Sequence, residues 1–148
     1  MISVERKRSL AVPAERVRAV LTDIDQIPTL MPRAERVTVL GQSEGRARIA
    51  IAMRLGRLGT QQIEGEARLL PDGMRFVAVH PMQIDVLYKL VTRGDHTEVL
   101  ARLAVELPRS LGTVARFIPQ RMIEARVGQE LDAALDALEA AVATRSAS

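Results

Sequence analysis

Between Gln120 and Ala143, the apolar residues Ile123, Val127, Leu131, Leu135, Leu138 and Val142 recur at steps of three or four. That spacing draws one continuous stripe down the side of a helix. Ala, Leu and Glu, all strong helix formers, fill much of the remainder. About 24 residues rising about 1.5 Å each reach roughly 36 Å, enough to cross a whole sheet. A helix with one apolar side must bury it against another layer. The preceding residues have to supply that layer.

They carry the period of strands. Arg46–Arg54 alternates most cleanly, with Ala47, Ile49, Ile51 and Met53 on one face and Arg46, Arg48 and Arg54 on the other. Thr60–Leu69 does the same, with Ile63, Gly65, Ala67 and Leu69 inward. Further strands are expected at Ile2–Ala11, Arg33–Leu40, Met74–Val79, Ile84–Arg93 and Thr97–Leu107. The connections are short: Gly41–Gly45, Gly56–Gly59, Pro71-Asp72-Gly73 and Gly94-Asp95. Turns of this length join antiparallel neighbours. Two short helices interrupt the series after the first strand. Pro13 suits the first turn of one over Pro13–Leu21, where its missing N–H costs nothing. Asp23 caps the other over Ile24–Leu30, which Met31-Pro32 ends. A further short helix is expected over Leu111–Ile118. The prediction is an α+β domain over 1–144, with a frayed tail at 145–148. A seven-stranded curved antiparallel sheet wraps around the long C-terminal helix. A curved sheet cannot follow a straight helix along its whole length, so a space open to small apolar ligands is expected between them.

Composition narrows the chemistry. With no Cys, disulfides, thiolate metal sites and Cys nucleophiles are excluded. The N-terminal MISVERKRSL is charged where a signal peptide needs an apolar run, and no lipid-anchor signal is seen. No stretch approaches the roughly 18 apolar residues of a membrane span. The expected location is the cytoplasm. Net charge is only +3, and the pI of about 10.1 reflects Arg in place of Lys, since Lys7 and Lys89 are the only lysines. Residues 1–60 hold 11 basic and 6 acidic side chains. The skew would suit an anionic partner, but the aromatic platforms that accompany nucleic-acid binding are absent. No dinucleotide, P-loop, nucleophile-elbow or zinc-protease motif occurs. Neither a metal nor a cofactor is expected.

The order of elements, with VPAERVRAVLTDIDQIPTLMPRAERVTVL over 12–40 and HTEVLARLAVELP over 96–108, resembles the START-like (SRPBCC) superfamily. That superfamily includes birch-pollen-allergen-like proteins, polyketide cyclase/dehydrases and coenzyme Q-binding proteins. In its opening pattern Pro13 starts the first helix, Asp23 begins the second, and Pro32 leads into strand two. Many relatives carry Trp in the first helix or just before that proline; here Val17 and Leu30 stand there. The resemblance implies a helix-grip fold and a cavity for a lipid, polyketide, steroid or isoprenoid quinone.

The expected lining is Ile49, Ile51, Met53, Ile63, Val86, Tyr88, Leu103, Ile123 and Val127. Met74, Met82 and Met122 are further flexible candidates. Tyr88 shares a face with Ile84, Val86 and Leu90, where a phenol would orient a ligand by hydrogen bonding. Gln61 is a second polar candidate. Arg121 and Glu124, three apart on the last helix, would hold a polar head group or simply pair with each other. His80, at a strand end, is a candidate general base at the pocket mouth; His96 reads as a turn residue. The leading expectation is a module that binds a hydrophobic small molecule. A cyclase/dehydratase using Tyr88 and His80 is the second, and a ribosome- or protein-interaction module using the Arg-rich face of 46–54 the third. A pH–rate profile altered by Tyr88→Phe or His80→Ala separates the second from the first. Salt-sensitive co-sedimentation with ribosomes separates the third.

Overall fold

A computed structural model describes residues 2–31, 33–54, 59–80, 82–106 and 119–146. The expected helix at Leu111–Ile118, residues 56–58 of the Gly56–Gly59 turn, Pro32 and Pro81 lie outside the described residues. The order is β1 (Ile2–Leu10), α1 (Ala14–Leu21), a 3₁₀ turn (Ile24–Gln26), α2 (Ile27–Leu30), β2 (Ala34–Ser43), β3 (Arg46–Arg54), β4 (Thr60–Leu70), β5 (Gly73–His80), β6 (Gln83–Arg93), β7 (His96–Glu106) and α3 (Gln120–Ser146). The strands form one curved antiparallel sheet in the spatial order β1-β7-β6-β5-β4-β3-β2. All neighbours but one are sequential hairpins; β1 closes the other edge against β7.

Several boundaries differ from the sequence reading for local reasons. Pro13 stands one step outside α1, as its N-cap in extended geometry. The second helix begins as a 3₁₀ turn, and Pro28 near the start of α2 lacks the N–H for a regular first turn. Asp23 does cap it: its Oδ1 accepts the Asp25 backbone N–H at 3.1 Å. The Gly41–Gly45 turn shrinks to Glu44-Gly45, with Gly45 at φ 72°, because β2 runs on to Ser43 through two bulges. At the far end α3 continues past Ala143 to Ser146, since no Gly or Pro stops it. Residues 145 and 146 therefore prolong the helix where a frayed tail was expected; 147 and 148 lie outside the described residues.

The stripe on α3 is buried from Leu131 onward: Leu131, Leu135, Leu138 and Val142 are each 0–2% exposed. They pack with Val4 and Leu10 of β1, Val17, Val20 and Leu21 of α1, and Val99 and Ala101 of β7. Two inward positions of β1 carry arginine, and these meet α3 directly. Arg6 Nε lies 3.1 Å from Asp132, and Arg8 Nη1 lies 2.6 Å from Asp136 and 3.4 Å from Glu139. Gly128 makes room for the first: a Cβ there would run into the Arg6 guanidinium and touch Val4. Thr97, fully buried, donates to the Val12 carbonyl at 2.7 Å and ties β7 to the β1–α1 junction. A second apolar cluster lies under β3 to β6, built on Ile49, Ile51, Ile63, Phe76 and Ile84.

These two kinds of contact differ in weight. Leu135→Ala should cost about 2–5 kcal/mol in urea unfolding, as a cavity in a closed core. Asp132→Ala should cost less than about 1 kcal/mol, because its ion pair is solvated. Equal losses would mean that charge, not packing, seats the helix.

Candidate functional site

The hairpin registers lay the inward side chains out in rows across the concave face. One row runs Ala47, Ala67, Phe76, Val86, Leu103 and Val4. Its neighbour runs Leu69, Met74, Tyr88, Ala101 and Arg6. Gly65 sits where the Phe76 ring passes; a Cβ would come within 2.6 Å of it.

The expected lining residues separate by accessibility. Ile49, Ile51 and Ile63 are closed off at 0–1% exposure and serve as core. Met53, Val86, Leu103, Ile123 and Val127 are half-buried. For Val86 and Leu103 this is informative, because both sit on interior strands facing the helix side. Each packs against both apolar clusters, as Met74 also does. Gln61 is half-buried and paired opposite Met53. At the start of α3, Arg121 is exposed and Glu124 accepts from Gln120 Nε2 at 3.2 Å. Among the described residues no Arg121–Glu124 ion pair forms. Met82 is buried core, whereas Met122 is 63% exposed.

Tyr88 is 5% exposed, between Met74 and Ala101. No described residue hydrogen-bonds its hydroxyl. Burial pushes the phenol up to about 12. It is therefore a hydrogen-bond donor at neutral pH and not a base. His80 does not join it. Between Gly65 and Glu64 the β4–β5 register shifts, so that Ala78 faces Gly65, Val79 is the extra residue, and His80 stands opposite Glu64. His80 is thus exposed on the outer face, and the expected acid–base pair is split across the sheet. His96 opens β7 and lies 2.6 Å from Asp95. On the outer face the Arg residues are interleaved with acids. Arg75 holds Asp85 at 2.6 Å, keeping that carboxyl below its usual range. Arg68 likewise lowers Glu66, with Arg46 and Arg48 adding to the effect.

One cleft of about 170 Å³ was not anticipated. It is lined by Leu21 and Ile27 from the helix pair, Ala47, Ala67 and Met74 from the sheet, and Thr22, Gln42, Ser43 and Arg46 at its rim, among others. Of the expected lining residues, Met74 alone borders it. The alternation of β3 and β4 put Ala47 and Ala67 on the inner face. Nothing in the sequence showed that the α1–α2 junction would stop short of them.

The chain has one Tyr and no Trp, so its ultraviolet titration reads a single group. Tyr88 should ionise near 12, well above the ordinary phenol value of about 10. The folded state then binds the proton more tightly than the unfolded one. This contribution to stability is complete below pH about 10 and is lost as pH rises toward about 12. Ionisation at the ordinary phenol value would show an open, hydrated hydroxyl instead.

Comparison with known proteins agrees with this architecture. In fold the chain is similar to TTHA0849 from Thermus thermophilus, with TM-score 0.78 and 19% identity over 97% of this chain and 99% of that one. It is similar to a START superfamily protein from Mycobacterium smegmatis, at 0.75 and 18% over 96% and 97%. It is also similar to the Zhui aromatase/cyclase from Streptomyces sp. R1128, at 0.76 and 20% over 97% and 94%. At these identities the likeness is one of fold alone. None of the curated proteins matches it in sequence. The fold is START-like, and residues 1–143 match the family described as polyketide cyclase / dehydrase and lipid transport, to which the chain belongs.

Proposed function

We propose that the protein binds a hydrophobic small molecule of lipid, polyketide or isoprenoid/quinone type between the sheet and the first half of α3. The family and the fold support hydrophobic-ligand binding or a cyclase-like role in general terms. The observation that carries the narrower reading is the accessibility of Val86 and Leu103. Residues on interior strands, facing the helix layer, keep solvent-accessible apolar surface only where space reaches in to them. Ile123 and Val127, on the uncovered end of the α3 stripe, are half-buried too. Burying this surface would contribute about 25 cal/mol per Å². Tyr88 supplies the polar contact, donating to a carbonyl or hydroxyl oxygen of the ligand.

Binding is favoured over catalysis for a chemical reason. A phenol held near 12 gives up its proton poorly, and the imidazole that would partner it faces away. The site offers orientation and burial, with no base beside the donor among the described residues.

Native mass spectrometry of the purified protein, with organic extraction, tests this. The expected result is a discrete apolar adduct, or uptake from a panel of lipids and quinones. Leu103→Phe, which narrows the space, should abolish uptake, and Tyr88→Phe should weaken it by about tenfold for ligands bearing a carbonyl. A clean apo mass with no uptake overturns the proposal.

A further inference from the structure

The outer face of the sheet lays its charges out in rows, as the inner face does its apolar residues. One row runs Arg46, Arg68, Arg75, Leu87, Arg102 and Glu5, from β3 across to β1. The next runs Arg48, Glu66, Val77, Asp85 and Ala104. In the first row Arg46, Arg68 and Arg75 stand directly opposite one another on consecutive strands. Like charges so placed repel and weaken a sheet. The adjoining row offsets them only with Glu66 and Asp85.

Both of those acids are already engaged. Glu66 accepts from Arg68 Nε at 2.5 Å, and Asp85 accepts from Nε and Nη2 of Arg75 at 3.0 and 2.6 Å. Arg102 comes only within 4.0 Å of Asp85, and its buried Nε has no hydrogen-bond partner among the described residues. Arg46 and Arg48 form no ion pair or side-chain hydrogen bond among the described residues, although both act on Glu66 at longer range. Guanidiniums therefore outnumber carboxylates in these rows, and the excess lies at β3 and β4. Arg46, Arg48, Arg68 and Arg75 are exposed, while Val77 and Leu87 beside them are half-buried.

We infer that this outer face docks an acidic helix of a partner protein, whose carboxylates lie along the arginine row. Neighbouring strands are about 4.8 Å apart, and successive turns of a helix about 5.4 Å. Carboxylates at i, i+4 and i+7 therefore meet Arg46, Arg68 and Arg75 in turn. Guanidinium and carboxylate match as a planar, charge-assisted pair. A guanidinium has more N–H donors than Glu66 or Asp85 uses, so Arg68 and Arg75 keep some for the partner. Val77 and Leu87 receive apolar side chains from the flank of the helix. Single-stranded nucleic acid fits this face less well. It stacks its bases on aromatic side chains, and Phe76 and Tyr88 are each 5% exposed and point to the inner face. The inference does not rest on the reading of the α3 side, and either can fail alone.

Amide NMR of the full chain reads such a contact residue by residue. The probe is an Ala-based helical peptide with Glu at i, i+4, i+7 and i+11; its control carries Gln at those places. The Glu peptide should shift the amides of Arg46, Arg48, Arg68 and Arg75, and the Gln peptide should not. Raising salt from about 0.01 to about 0.15 M shortens the reach of charge from about 30 to about 8 Å and should weaken binding. Arg46→Glu combined with Arg48→Glu should weaken it by about tenfold or more. Both positions are exposed, so a retained melting temperature should confirm that the variant folds. Arg36→Glu, at an exposed position of β2 outside these rows, should weaken it far less. No shifts at low salt, equal binding of the two peptides, or undiminished binding by the double variant would overturn the inference. So would an equal loss in Arg36→Glu. Tighter binding of an oligothymidylate than of the Glu peptide would make this a nucleic-acid surface and overturn it too.

Discussion

Everything in this fold depends on how α3 is seated against the β1 edge of the sheet. The second half of its apolar stripe closes over β1, β7 and α1, and this is where the helix is held. Gly128 lets the helix come close enough for Arg6 to pass beside it. Asp132, Asp136 and Glu139 then meet Arg6 and Arg8 in the order in which β1 presents them. Solvated ion pairs add little energy, but they give the helix a register along the strand. Before Asp132 one further ion pair, Arg33 Nε with Glu130 at 2.7 Å, fastens α3 to the segment leading into β2. Ile123 and Val127 are incompletely covered.

The division of the helix is repeated in the core. One apolar cluster holds α3 and α1 against the β1 side, and another fills the hollow of β3 to β6. Met74, Val86 and Leu103 belong to the margin of both. Close packing at each side and accessible surface along the seam are what a curved sheet and a straight helix must produce together.

The architecture was legible because its signals are periodic. Steps of two in Arg46–Arg54 and steps of three or four in Gln120–Ala143 each bind many residues to one face. The strand order follows from short turns. Boundaries were less legible wherever a bulge intervened, since alternation carries no sign of an extra residue; β2 outran its expected turn for this reason. The site was partly legible. Alternation placed Val86, Tyr88 and Leu103 on the inner face, yet it could not tell closed positions such as Ile49 and Ile63 from accessible ones, because that depends on what α3 covers. Arg46 was read as an outer-face residue of β3. It stays on that face, with Arg68 beside it and Glu66 near.

The irregularity at Val79 has a consequence for what such a sheet can become. Counting in twos from Ala78 would carry the imidazole of His80 onto the inner face. The one unpaired residue turns it to the outside. Whether the hollow holds an ionisable nitrogen is therefore decided by where a ladder skips a rung, with every side chain unchanged. Were the skip to fall beyond His80, the same letters would furnish the apolar lining with a proton acceptor. In a sheet of this kind, a binder and a catalyst can differ in the bookkeeping of backbone pairs before they differ in any residue.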